Sequence, residues 1–200
     1  MQFATVSHCS NHLIPHVIAQ EGRTASCAYP FGKRLHEVPL AMQRFAELSE
    51  QIQADEFDGY LYGKRSHLLL HRLYQPQAAL ADAKQMVTRL PDLAESHVLL
   101  SEVHMVCSRL LEPDPEICTL GVPAEAVKSL TEALRLEPSN KKVIAAFRGV
   151  VPIRALQNEY RYGGVEAWVR AHNRYPKQDE ETTAAILQAL LLWKSAMPCG

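Results

Sequence analysis

Several features are missing from this 200-residue sequence. No apolar run reaches the roughly 18 residues that a membrane-spanning helix needs, so none is expected. Neither sign of charge dominates: 21 basic and 22 acidic residues give a formal charge of −1. Nucleic-acid binders concentrate positive charge on one face, and the Lys64-Arg65 pair is too small to be such a face. The first twenty residues contain no Lys, Arg, Asp or Glu. A secretory signal would start with a charged head and a mitochondrial leader with arginines, so neither is expected. No serine sits in a nucleophile-elbow setting, and no glycine-rich loop matches a phosphate cradle. The five cysteines (Cys9, Cys27, Cys107, Cys118 and Cys199) are odd in number and irregularly spaced. Reduced thiols in a cytosolic or nuclear protein are the simplest account.

What is present is an ordinary apolar fraction, 47%, enough for a core in one domain. Residues 1–37 hold Pro15, Gly22, Pro30 and Gly32 with little periodicity, and read as an irregular N-terminal arm. From Val38 onward apolar residues recur at helical spacing. Leu40, Phe45, Leu48 and Ile52 mark a first helix. A second is expected over about 56–73, a third over 77–90 and a fourth over 93–111. The proline-rich stretch "EPDPEICTLGVP" that follows is a loop. A fifth helix covers "AEAVKSLTEALRLEPSN", residues 124–140. Ser139 or Asn140 caps a sixth, which ends or kinks at Pro152. Gly163-Gly164 breaks the chain before a seventh helix, from Val165 to about Tyr175. A final helix spans Asp179 to Met197. No strand is expected, and the fold class is all-α.

Two of these helices match one another. Ala79, Ala83 and Met86 precede Pro91 at the same distances as Ala126, Leu130 and Ala133 precede Pro138. The prolines lie 47 residues apart, and the loop at 111–123 accounts for 13 of them. With that insertion set aside, the pattern resembles the tetratricopeptide repeat, a helix–turn–helix unit of 34 residues. The units are then 60–93, 94–140 with insertion 111–123, and a divergent third at 141–176, followed by a capping helix at 179–197. Leu100-Ser101 fall where the family carries its Leu-Gly pair, and His104 where it usually carries Tyr. In the first unit that pair falls on Ser66-His67, a poor match. Gly164, Ala167 and Pro176 echo the second-helix pattern about three residues short. The resemblance implies a short right-handed α-solenoid of helix–turn–helix repeats over residues 38–197, with Trp168 and Trp193 in the core at its end. The competing architecture is an ordinary helical bundle.

The candidate chemistry is thin. His8, Cys9, His12 and His16 are close enough to hold zinc, but too crowded for the paired ligand spacing of a structural finger. His67 and His71 share a helix face, one turn apart, and His97 and His104 lie on the next unit's first helix. "HLLLH" lacks the glutamate that a zinc protease uses as its base. Cys118 lies beside acidic groups that dull a thiolate, and Asp114 and Glu116 read as solvated. No catalytic residue, metal ligand or cofactor is assigned.

The family resemblance implies a concave groove lined by the first helices, used to bind a partner's peptide or amphipathic helix. The groove positions are Lys64, Leu68, Glu95, Val98, Glu102, Met105 and Lys142, with Ala145 and Gly149 beyond them. Val98, Glu102, Ala145 and Gly149 stand where the chaperone-binding subclass carries Asn, Lys and Arg, so a clamp for an acidic C-terminus is not expected. The expected role is non-catalytic: an adaptor or subunit in a cytoplasmic or nuclear assembly, with a protein partner and neither nucleic acid nor membrane. The alternative is a metal-dependent enzyme, or its regulatory subunit, built on the histidine clusters.

Overall fold

In a computed structural model, the chain divides into two compact units, Met1–Phe31 and Gly32–Gly200. The structure describes residues 38–111, 122–157, 164–172 and 180–196, all within the second unit. The N-terminal arm, with its histidine–cysteine cluster, lies outside the described residues, as do most of the 111–123 insertion, Gly163 and Pro176. The described residues are helical, without a strand. None of their helices is long and apolar enough to cross a membrane.

The helices are α1 (Val38–Ala54), α2 (Gly59–His71), α3 (Pro76–Arg89), α4 (Ala94–Leu111), α5 (Ala124–Leu136), α6 (Lys141–Val150), α7 (Arg154–Gln157), α8 (Val165–His172) and α9 (Glu180–Ala196). The expected helices are present with ends shifted by a few residues, and α7 was not foreseen. Proline governs several boundaries. Pro76 opens α3 in the first turn, where its missing N–H costs little. Pro91 and Pro138 cannot continue α3 and α5, and Pro152 follows the end of α6.

The ends of α3 and α5 are near copies. Leu90 (φ −128°, ψ 61°) donates its N–H to Met86 O, and Glu137 (φ −135°, ψ 74°) donates its N–H to Ala133 O. Leu93 N–H then reaches back to Leu90 O at 3.3 Å, and Asn140 N–H to Glu137 O at 3.2 Å. The connection from α1 to α2 has the same length and the same pattern of turn residues, although Glu56 stands where the other two have proline. Two of the following helices are capped by a side chain: Asp58 accepts from Tyr60 N–H, and Asn140 from Lys142 N–H, both at 2.9 Å. Connections this short make successive helices antiparallel neighbours.

The α2–α3 connection is different. It passes through Tyr74 at φ 53°, a left-handed conformation that a side chain adopts at some cost. Leu73 N–H bonds to Leu68 O, and Gln75 N–H to Leu69 O, closing a wide turn.

Packing follows the chain at first. Each of α1 to α5 packs against the next, and α2 also meets α4 while α4 also meets α6. α3 and α5 do not meet to the same extent. Toward the C-terminus the order changes: α9 lies along α5, and α8 packs on α7 and α9. Among the described residues the core forms three apolar clusters. Leu48, Ile52, Leu61, Tyr62 and Met86 join α1, α2 and α3. Leu69, Leu70, Ala79, Ala83, Val103 and Cys107 join α2, α3 and α4. The largest runs from Ala94 through α5 and α6 to α9, and includes Leu130, Phe147, Val169, Ile186 and Trp193, with Trp168 half-buried against it. Phe147 and Trp193 stack with ring centres 5.2 Å apart. Only α4 contributes to all three clusters.

The positions matched between α3 and α5 are all in the core: Ala79 and Ala126, Ala83 and Leu130, Met86 and Ala133. Small side chains there let neighbouring helices approach closely, so their recurrence has a steric cause. Gly63 of α2 shows the same closeness: a Cβ there would sit 2.5 Å from Met86 Sδ.

Candidate functional site: the face of α2, α4 and α6

The groove positions expected from sequence fall on α2, α4 and α6, the helices whose contacts skip a neighbour. Lys64, Glu95, Glu102 and Lys142 are exposed, as are Ala145 and Gly149. Leu68 is instead half-buried against the cluster joining α1 to α3. Val98 packs against the large cluster, and Met105 is half-buried.

Two of the acidic groups bridge helices. Lys142 Nζ of α6 donates to Glu95 Oε1 of α4 at 3.0 Å. His71 Nε2 of α2 lies 3.2 Å from Glu102 Oε1 of α4. One turn before His71, the His67 ring centre lies 4.3 Å from that of His71. Burial holds the His67 imidazole below the usual histidine range, helped by the neighbouring His71 and opposed by Glu102. Lys142 and Glu95 offset one another across one seam, and Lys64 and Glu102 add one charge of each sign, leaving the face mixed in sign.

Sequence reasoning missed part of this face because of its register. Small residues buried on the first helices include Ser66 and Ser101, at 0% and 2% exposure, whereas His67 is exposed. These serines lie 35 positions apart, as do Leu90 and Asp55 at the preceding helix ends. Counted from those turns, Glu95, Val98 and Glu102 correspond to Tyr60, Gly63 and His67, not to Lys64 or Leu68. Tyr60 is 51% exposed. Tyr60, Lys64, His67 and His71 recur at helical spacing on one side of α2, and that periodicity was the available signal.

The four central histidines do not converge. His97 Nε2 lies 2.8 Å from Pro91 O, in the turn that precedes its own helix. His104 faces Glu125 and Lys84, and burial pushes its imidazole below the ordinary range. Among the described residues, no three His, Cys, Asp or Glu side chains form a group able to hold a metal ion. Cys107 is buried, with Sγ 3.4 Å from Pro76 O, and burial pushes its thiol up, the opposite of what a nucleophile needs.

Beside this face, α1, α2 and α3 are tied by polar contacts. Arg65 forms a two-pronged pair with Asp82, Nε–Oδ2 at 2.7 Å and Nη2–Oδ1 at 2.8 Å, and also donates to Ser49 Oγ of α1. Ser66 Oγ donates to Ala79 O at 2.8 Å. Arg89 donates to Glu56 O in the α1–α2 turn and lies over the Tyr62 ring. These groups satisfy one another, which marks them as structural.

No protein-family model, no curated protein and no solved structure matches this chain.

Proposed function

We propose that this chain is a non-catalytic protein–protein interaction module, a tetratricopeptide-like α-solenoid serving as an adaptor or as a subunit of a larger assembly. The observation that carries this reading is the recurrence of one connection. The same turn leads into α2, α4 and α6, and the two proline-bearing copies share their cap geometry. Helices that enter through the same turn present the same face. Contacts of α2 with α4 and of α4 with α6, without comparable contact between α3 and α5, support a stack curved toward the first helices.

On this reading α1 is the second helix of a leading unit whose first helix would fall outside the described residues. Leu48 then matches Ala83 and Leu130, all buried. Arg44 and Gln51 stand where α3 and α5 carry Ala79 and Ala126, Met86 and Ala133. Both are exposed and polar, which suits the end of a stack. At the other end, α9 packs along α5, which suits a helix that caps the stack.

A peptide or amphipathic helix with mixed polar and apolar contacts fits the α2–α4–α6 face. The test is co-purification from cell extract with His67→Glu and Ala145→Glu on that face, and Gln188→Glu on the exposed side of α9 as control. The two face variants are expected to lose partners that Gln188→Glu keeps. If both still hold every partner, the groove assignment is wrong. Val98 is a poor probe, because charging it would disturb the core it packs against.

A further inference from the structure

We infer that the corner between α1 and α2 is a further contact site, made by the rings of Phe57 and Tyr60 with the carboxylates of Asp55, Glu56 and Asp58. Its occupant is a basic segment of a partner protein, in which lysine or arginine side chains flank an apolar one. Phe57 is 80% exposed and Tyr60 51%. The fold does not ask for aromatic residues here. In the two matching turns, Asp92 and Ser139 stand at the place of Phe57, both exposed, and Glu95 and Lys142 stand at the place of Tyr60. A ring left in water contributes little to its own fold, and aromatic side chains are the anchors from which interfaces draw much of their binding free energy.

The corner is held in shape before a partner arrives. Phe57 N–H donates to Asp55 Oδ1 at 3.1 Å, and Tyr60 N–H to Asp58 Oδ1 at 2.9 Å. Between them, Arg89 Nε of α3 donates to Glu56 O at 2.6 Å. Gly59 lies so close to the end of α3 that a Cβ there would sit 2.7 Å from Leu90 Cγ. A turn pinned in this way loses little further freedom on binding. Its charge selects the partner. Among the described residues, none of the three carboxylates pairs with a cation. Arg89, the cation packed on the corner from α3, directs its guanidinium to neutral acceptors: Glu56 O, Gln85 Oε1 and Tyr62 Oη. Lys64 follows Tyr60 by one turn of α2, on the side away from the carboxylates in sequence. An incoming ammonium or guanidinium gains carboxylate partners and the faces of two rings, as Arg89 already does over Tyr62, 4.4 Å from the ring centre. An acidic segment meets like charge. The corner adjoins the α2–α4–α6 face only through Tyr60, so it can bind whether or not that face does.

Fluorescence anisotropy on the full chain tests it, with a short fluorescein-labelled peptide of alternating arginine and leucine. Two peptides of equal length carry glutamate in place of arginine, or serine in place of leucine. The arginine–leucine peptide is expected to bind, and the other two to bind at least about tenfold more weakly. Phe57→Ser and Glu56→Lys, both at exposed positions, should each weaken binding about five- to tenfold with an unchanged circular dichroism spectrum. Ala145→Glu should leave it as it is. No binding of the arginine–leucine peptide, equal binding of the glutamate peptide, or full binding by Phe57→Ser overturns the proposal. So does a loss in Ala145→Glu as large as that in Phe57→Ser, which would put the peptide on the groove face instead. Sedimentation of the chain alone supplies the last check: self-association that Phe57→Ser abolishes would make the occupant a second copy, and overturns the proposal as well.

Discussion

The helices before the 112–121 segment and those after it are held together in different ways. In the first group, α1 to α4, two modest apolar clusters are stitched by buried or half-buried polar contacts, Arg65 with Asp82 and Ser49 and Ser66 with Ala79 O, and by the exposed contact of Arg89 with Glu56 O. In the second group, α5 to α9, one large apolar cluster dominates, and ion pairs among the described residues lie exposed around it: Lys128–Glu181, Arg135–Glu132 and Arg170–Glu166. Apolar packing is tolerant of direction, whereas a two-pronged guanidinium–carboxylate pair accepts only one register. The first group thus gains definition of geometry from groups that contribute modest net stability, because desolvating an ion pair offsets much of its attraction. The second group gains stability from area.

That contrast predicts a ranking. Phe147→Ala should be the most damaging change. It empties a fully buried site and removes the Trp193 stack, for a loss of about 4 kcal/mol in chemical unfolding. A loss below about 1 kcal/mol would show that the second group is not organised around this cluster. Asp82→Ala comes next. It strands the Arg65 charge, whose side chain is only 20% exposed, and should cost about 3 kcal/mol. Arg65→Met added to it should recover a large part of that loss. No recovery would mean that the pair supplies net stability, contrary to the distinction drawn between the groups.

The smallest expected effect is a pH dependence. The folded-state pKa of His104 is held down by burial, so the unfolded chain binds its proton more readily. Stability is therefore kept above the ordinary histidine pKa of about 6.5 and declines as pH falls from there through the lowered value. Thermal melts from pH 8 to pH 5 should show that decline, and His104→Gln should make it shallower. An unchanged slope in the variant would assign the acid sensitivity to other groups.

The legible part of the fold was the part governed by short-range rules. Prolines end helices wherever they fall, and the matched alanines of α3 and α5 announced close packing, so those helices and their buried faces were readable from spacing. The register of α2 was not. A 34-residue count places α2 one position away from the count taken from its own N-terminal turn, since Asp55 lies 35 positions before Leu90. One position on a helix is about a hundred degrees, enough to exchange Leu68 for His67 on the face. The likeness of the turn after α1 to the turns after α3 and α5 was hidden because Glu56 stands where those have proline. Arg65 and Asp82 are 17 residues apart and look like ordinary surface charges until their helices are brought together. The packing of α9 along α5 joins residues as far apart in sequence as Lys128 and Glu181, which no local pattern encodes.

The position of α4 has a last consequence. Ala94 and Val98 face the large cluster, while Val103 and Cys107 face the cluster shared with α2 and α3. One rod is therefore the common wall of two rooms. Neither room can be dismantled without baring the other's side of that wall to water, so heat or denaturant meets a single melting event here, even though the apolar contents are divided.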